Sequence, residues 1–254
     1  REFGLSLGRR YIYRITAYTG TTESSPSDTV GITPGPAFTW VADAANASVV
    51  KLTHDGFKEI LRNRSFIRPL RVQANPKTGQ LWVIDGVTRE LRRVEADGSS
   101  STVRVTLQNP VDLAIDSTEN SIWVADNAVG VFKYDANGVQ LAQVQLPGVV
   151  AVAFHFPAGE LWALDGRQKK LWRINRAGSS IESNLRLVSP RSIQINSVRG
   201  EAWIADSTRV LRISASGQSD TTSGHAFFYA RKVALNQNTG ECWAIDWSPS
   251  FAQS

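Results

Sequence analysis

Nearly the same hexapeptide recurs about every forty residues in this chain, and this repeat restricts its possible folds more than any other feature. Copies read LWVIDG at 81–86, SIWVADN at 121–127, LWALDG at 161–166 and AWIADS at 202–207. Six tryptophans mark the series, spaced 42, 41, 39, 41 and 40 residues apart: Trp40, Trp82, Trp123, Trp162, Trp203 and Trp243. Three residues after each comes an aspartate: Asp43, Asp85, Asp126, Asp165, Asp206 and Asp246.

One repeat unit reads as four short strands separated by turns. In the unit around Trp82 they are RVQA, QLWVID, ELRRVEA and STVRVTLQ, with turn signals such as NPKTG and DG between them. The second strand is apolar at consecutive positions, which indicates a sheet covered on both faces. Stacked four-stranded antiparallel sheets of this length predict an all-β fold, a β-propeller.

The number of strand copies predicts six blades. The second strand occurs six times, whereas the first, third and fourth strands each occur five times. We therefore expect a six-bladed ring whose last blade is incomplete in this segment and is completed by residues beyond it. A five-bladed ring is the less favoured alternative.

The best copy of the unit, PVDLAIDSTENSIWVADNAVGVFKYDANG at 110–138, carries a family resemblance. Its Pro, Asp, Trp-Val-x-Asp and closing Gly resemble the repeats of the NHL family of six-bladed propellers. The resemblance covers residues 37–254 and implies a propeller with a loop-built binding face. Lactonase-like and streptogramin-lyase-like propellers have related patterns.

Residues 1–36 follow a different pattern. Tyr11, Tyr13, Ile15 and Ala17 occupy alternate positions, and a Ser-Pro loop leads to TVGIT. This segment resembles the C-terminal hairpin of a fibronectin type III domain, a partial β-sandwich, followed by a linker at 34–36. We therefore predict two units, 1–36 and 37–254. The combination implies an extracellular or cell-surface protein, of the kind that bacteria secrete.

Repetition decides how the tryptophans and aspartates are interpreted. Six equivalent aspartates could line a pore or bind cations, and six tryptophans could be ligand platforms. A catalytic site needs different residues that converge on one point. We therefore expect the aspartates to accept backbone hydrogen bonds in loops and the tryptophans to pack between blades.

The third strands carry a cation at one equivalent position in all five units: Lys51, Arg93, Lys133, Arg173 and Arg212. The net charge of +5, from 28 basic and 23 acidic residues, raises the alternative of a nucleic-acid surface. Cations spread evenly around a ring are more typical of long stems lying over aromatic rings. Nucleic acid is therefore not the expected partner.

A second set of cations breaks the repeat symmetry and lies in loops predicted to share one face. The members of this predicted basic rim are Arg68, Arg71, Arg167, Lys169, Lys170, Arg191 and Arg231. One interpretation is a solvated surface, and the other is a binding site for an anionic partner.

The sequence offers no catalytic, cofactor-binding or metal-binding set. The three histidines fall at unrelated places in the unit and there is one cysteine, whereas a zinc site needs converging ligands. The chain is therefore predicted to be a non-enzymatic interaction or scaffold module that binds another protein or a surface assembly. No cofactor and no membrane span are expected. The alternatives are a hydrolase or lyase with a metal in the central channel, and a polyanion or nucleic-acid binder.

Overall fold

A computed structural model describes residues 11–13, 16–27, 30–32, 38–53, 56–214, 218–221, 227–237 and 239–247. Every regular element in these ranges is a β-strand. The predicted linker at 34–36 and two of the histidines, His54 and His225, lie outside the described residues. Within the described ranges, no helix has the length and apolar character needed to cross a membrane.

Four short strands precede the repeats. Strand β1 (Tyr11–Tyr13) pairs antiparallel with β4 (Val30–Ile32), and β2 (Tyr18–Thr19) pairs with β3 (Thr22–Glu23). Their membership of a fibronectin type III-like unit, and the boundary at residue 36, stay predictions.

From residue 38 onward the strands form six sheets, which we call blades 1 to 6. Blade 1 contains β5 (Phe38–Asp43), β6 (Ser48–Thr53) and β7 (Glu59–Asn63). Blade 2 contains β8 (Pro69–Ala74), β9 (Leu81–Asp85), β10 (Glu90–Val94) and β11 (Ser100–Val103). Blade 3 contains β12 (Pro110–Asp116), β13 (Ser121–Asp126), β14 (Gly130–Tyr134) and β15 (Gln140–Gln145).

Blade 4 contains β16 (Val149–His155), β17 (Glu160–Asp165), β18 (Lys170–Asn175) and β19 (Ser180–Glu182). Blade 5 contains β20 (Pro190–Asn196), β21 (Glu201–Asp206), β22 (Arg209–Ile213) and β23 (Ser219–Thr221). Blade 6 contains β24 (Ala230–Leu235) and β25 (Cys242–Asp246).

Blades 2 to 5 are antiparallel sheets with their strands in chain order. The first strands of consecutive blades, β8, β12, β16, β20 and β24, are neighbours in space, so they surround a common centre. The prediction of an all-β propeller built from four-stranded antiparallel blades is confirmed.

The apolar core is divided among the spaces between neighbouring blades. One cluster joins blades 2 and 3 around Trp82, the next joins blades 3 and 4 around Trp123, and a third joins blades 4 and 5 around Trp162. These three rings are at most 2% exposed. Trp243 is 57% exposed, because among the described residues β25 has no third strand beside it. Stacking of blades therefore supplies most of the buried aromatic area.

The cations of the third strands lie over the tryptophans of the second strands. Lys51, Arg93, Lys133, Arg173 and Arg212 are each the direct cross-strand partner of one repeat tryptophan. Their charged groups lie 5.4 to 6.0 Å from the indole ring centres. At that distance a cation is attracted by the negative face of the ring, so these cations are held against the repeat tryptophans.

The repeat aspartates Asp85 and Asp126 each join two loops at one end of their blade. Oδ2 of Asp85 accepts hydrogen bonds from the backbone N–H groups of Ile67 and Arg68, at 2.7 and 3.1 Å. Its Oδ1 accepts from Val87 at 3.0 Å and from Thr88 at 3.3 Å. The loop that enters the blade and the loop after its second strand are thereby fixed at the same end of the sheet.

Asp165 is the exception, and the reason is readable in the sequence. In blades 2, 3, 5 and 6 the first donor lies 18 residues before the aspartate, as in Gln108 and Asp126, but in blade 4 that position is Pro147. Proline has no N–H to donate. The N–H of Gly148 goes instead to the carbonyl of Asn127, so Oδ2 of Asp165 is buried without a donor among the described residues.

This difference predicts unequal costs for the same substitution. In Asp85→Asn the new amide faces two backbone N–H groups, and we expect a loss of about 3 kcal/mol of unfolding free energy. In Asp165→Asn the amide faces no donor, and we expect a loss of about 1 kcal/mol. Urea denaturation of both variants checks this, and equal losses would contradict it.

Candidate functional site

The register of the first strands places one set of residues at a single level around the centre. Arg71, Asp112, Ala151, Ser192 and Lys232 each pair with the residue that precedes a repeat aspartate. Unlike the tryptophan and aspartate columns, this column has a different residue in each of blades 2 to 6. It therefore breaks the symmetry of the ring at its innermost surface.

These strands enclose a cavity of about 400 Å³ lined by the first strands of blades 2 to 6. Four cationic side chains line it: Arg71, Lys232, Arg191 and Arg231. Arg191 and Arg231 lie one residue nearer the starts of their strands than the level of Lys232. All four are therefore at the end of the channel where the aspartate-linked loops lie, which we call the channel mouth.

Two of these arginines are oriented by aromatic rings rather than by carboxylates. The guanidinium of Arg191 lies 5.4 Å from the ring centre of Tyr229, and that of Arg231 lies 5.9 Å from the ring of Trp247. Among the described residues, neither arginine and no part of Lys232 is within ion-pair distance of a carboxylate. Their positive charge is therefore open to an anion from outside.

Asp112 is the one carboxylate among the described residues that line this cavity. Its Oδ1 lies 3.4 Å from Nε of Arg71, and its Oδ2 accepts a hydrogen bond from the N–H of Val152 at 3.0 Å. Burial raises the pKa of Asp112, although the Val152 N–H and the charges of Arg71 and Lys232 act in the opposite direction. Its side chain is 21% exposed, so a ligand in the cavity can reach it.

Further from the mouth the cavity wall becomes neutral. Gln73, Gln194 and Gln237 contribute amides there, and Phe154 and Phe156 contribute aromatic surface with their rings 5.1 Å apart. A concave site of a few hundred Å³ with several converging polar groups is typical of small-ligand sites.

The predicted basic rim divides into three groups. Arg71, Arg191 and Arg231 line the channel mouth. Arg167 meets Arg191 at an adjoining cavity of about 210 Å³, between the loops of blades 4 and 5. Arg68, Lys169 and Lys170 do not line either cavity, and Lys170 forms an ion pair with Glu182 on the outer strand of blade 4.

The channel residues do not suit a bound metal ion. Among the described residues, no group of three or more His, Cys, Asp or Glu side chains is placed to hold one. At the mouth Asp112 is surrounded by cations, which repel a metal cation.

Comparisons with known proteins give structural neighbours only, since no family model and no curated protein sequence matches the chain. Virginiamycin B lyase from Staphylococcus aureus is similar at 14% identity and a TM-score of 0.68, over 94% of this chain and 96% of the other. A streptogramin B lyase is similar at 14% identity and a TM-score of 0.70, over 94% and 81%. A chain of a nidogen/laminin complex is similar at 13% identity and a TM-score of 0.65, over 83% and 85%.

These similarities correct one prediction. The chain was predicted not to be an enzyme, and that prediction is wrong, because the solved structures that share its fold include lyases. The inference failed because it rested on the absence of converging His or Cys ligands in the sequence. That absence carries no information about the cations and the carboxylate at the channel mouth. At this level of identity the similarity shows the fold alone.

Sequence reasoning missed Asp112 and did not include Lys232 in the rim. Both could have been found by aligning the first strands, which gives the column Arg71, Asp112, Ala151, Ser192 and Lys232. The variability of that column in an otherwise regular repeat is the signal. The basic rim was predicted from loop sequences, and these also include cations that the structure places away from the channel.

Proposed function

We propose that the propeller binds an anionic ligand at the channel mouth, in a protein that works outside the cell or at its surface. The observation that carries this proposal is the convergence of Arg71, Arg191, Arg231 and Lys232 on one cavity. Of the described residues that line it, Asp112 alone carries a carboxylate. Arginine side chains bind carboxylate and phosphate groups through two parallel hydrogen bonds, which gives both affinity and orientation.

The anionic group belongs either to a free small molecule or to an acidic segment of a protein. The size of the cavity favours a small molecule. Similarity to a chain of a nidogen/laminin complex supports the second source, as does the position of Arg167 in the adjoining cavity beside Arg191. In both cases arginine side chains bind an anionic group. The two sources can be distinguished by comparing the affinity of a small anion with that of an acidic peptide.

Binding is tested with naphthalene-1,5-disulfonate as a small dianion and with hexaglutamate as an acidic peptide. We expect the double variant Arg191→Gln/Arg231→Gln to weaken binding about tenfold or more, because both charges face the ligand. Affinity should also fall as salt concentration rises. Isothermal titration calorimetry measures both effects and shows which probe binds more tightly.

The matched control is Arg173→Gln, which also removes positive charge but does so over Trp162, beside Glu160. Its affinity should stay within about twofold of the unmodified chain, since exposed charges at a distance are screened. An equal loss in both variants would mean that net charge rather than the channel mouth binds the anion.

A second candidate is that the bound ligand is turned over, as a lyase does. Two observations favour it: the shared fold with virginiamycin B lyase, and the presence in the cavity of one carboxyl group with a raised pKa, Asp112. A carboxyl group of this kind can hold or release a proton near a substrate, and the cations of the channel mouth would hold that substrate in place.

The test is incubation of the full chain with virginiamycin B, followed by mass spectrometry. This candidate predicts a converted product whose formation is lost in the Arg191→Gln/Arg231→Gln variant and is retained in Arg173→Gln. Unchanged virginiamycin B at high enzyme concentration would exclude this substrate, and product formation in all variants would exclude the channel mouth as its site.

A further inference from the structure

We propose that Asp112 is a competing internal anion that sets the specificity of the channel mouth, so that an external anion binds there together with a proton taken up by Asp112. This inference rests on the proposed function, because it concerns the same cavity. It adds a named residue that selects the ligand and a condition under which binding is strongest.

The first step is geometric. Asp112 occupies the cavity at the level of Arg71 and Lys232, and its Oδ1 is 3.4 Å from Nε of Arg71. An anionic ligand that contacts Arg71 must therefore approach the carboxylate as well. A single N–H group of the Arg71 guanidinium cannot donate fully to the Asp112 carboxylate and to the ligand at once, so the two anions compete for that donor.

The second step is an inventory of the groups that face Asp112. At its level, β8 presents Arg71 and β24 presents Lys232, whereas β16, β20 and β13 present Ala151, Ser192 and Ala125. One residue nearer the mouth, β20 and β24 add Arg191 and Arg231. Among the described residues no second acid faces it, so protonation within this cavity falls on Asp112 itself.

The third step is electrostatic. Burial already opposes the charged form of Asp112 and raises its pKa. A second anion in the same cavity raises that pKa further, because two like charges in one desolvated site repel each other. Binding of the ligand and binding of a proton are therefore linked, and each favours the other to the same extent.

The affinity of the channel mouth for anions should therefore decrease as pH rises. Below the raised pKa, Asp112 is neutral, Arg71 is available, and the carboxylic O–H can itself donate to an oxygen of the ligand. As pH rises through that pKa, the carboxylate reforms beside Arg71 and the affinity for anions falls. The ligand class that fits is an oxyanion with several acceptor oxygens.

Comparison with another blade suggests a substitution of Asp112 that keeps its hydrogen bond to the neighbouring blade. In blade 5 the equivalent position is Ser192, whose Oγ accepts the N–H of Val233 as Oδ2 of Asp112 accepts that of Val152. Asp112→Ser therefore removes the charge while keeping an acceptor for the neighbouring blade. Asp112→Asn is the second variant, and it preserves the size of the side chain.

The experiment measures binding of naphthalene-1,5-disulfonate, which stays ionised, from about pH 4 to about pH 8, a range that spans ordinary and raised carboxyl pKa values. We expect both Asp112 variants to bind about tenfold more tightly near neutral pH and to lose the pH-dependent decline. Asp97→Asn, which removes an equal charge from a turn at the outer side of blade 2, should behave like the unmodified chain. Calorimetry in buffers of different ionisation heat should show proton uptake on binding by the unmodified chain.

The outcomes separate the two proposals. One outcome is that the probe binds and that the Arg191→Gln/Arg231→Gln variant weakens its binding, while the Asp112 variants keep the affinity and pH profile of the unmodified chain. In that case the proposed role of Asp112 is wrong and the proposed anion site stands. Binding of the probe without proton uptake would also overturn the proposed role of Asp112, and this measurement needs only the unmodified chain. If neither probe binds to any form of the chain, the proposed function itself fails.

Discussion

The packing of each blade against its neighbours is the interaction on which the rest of this structure depends. A four-stranded sheet whose second strand is apolar on both faces cannot bury that strand alone, so each blade requires another on either side. Trp82, Trp123 and Trp162 occupy the resulting spaces and are almost completely buried. Where the described strands end, at blade 6, the equivalent Trp243 is largely exposed. Burial therefore follows stacking rather than residue type.

Stacking also explains why regular and irregular positions have different meanings. The tryptophans, the cations over them and the aspartates that join loops recur because every blade meets the same packing problem. The innermost strands meet a different condition, since their side chains face one another across a channel. There the chain places Arg71, Asp112 and Lys232 at one level, and identical residues would only repel or leave the centre unfilled. Departures from symmetry at this surface are where chemistry can be built.

The fold could be predicted from the sequence because its period is carried by large, easily recognised residues, and the strand pairs follow from it. The candidate site could not be predicted fully. Arg191 and Arg231 were identified as loop cations, but Lys170 looked equivalent to them and instead pairs with Glu182 on an outer strand. Asp112 resembles any polar residue at the start of a strand. Its significance arises from Arg71, 41 positions earlier, and from Val152, 40 positions later, which the stacking of blades 2, 3 and 4 brings beside it.

The proposed anion site consists of the irregular cations of the channel mouth, not of the regular cations over the tryptophans. Crystals soaked in bromide test it most directly, because anomalous scattering locates bound bromide without any assumption about the ligand. We expect bromide in the channel mouth beside Arg191, Arg231 and Lys232. Bromide found only along the blade faces, beside residues such as Arg93 and Arg173, with none at the channel mouth, would contradict it.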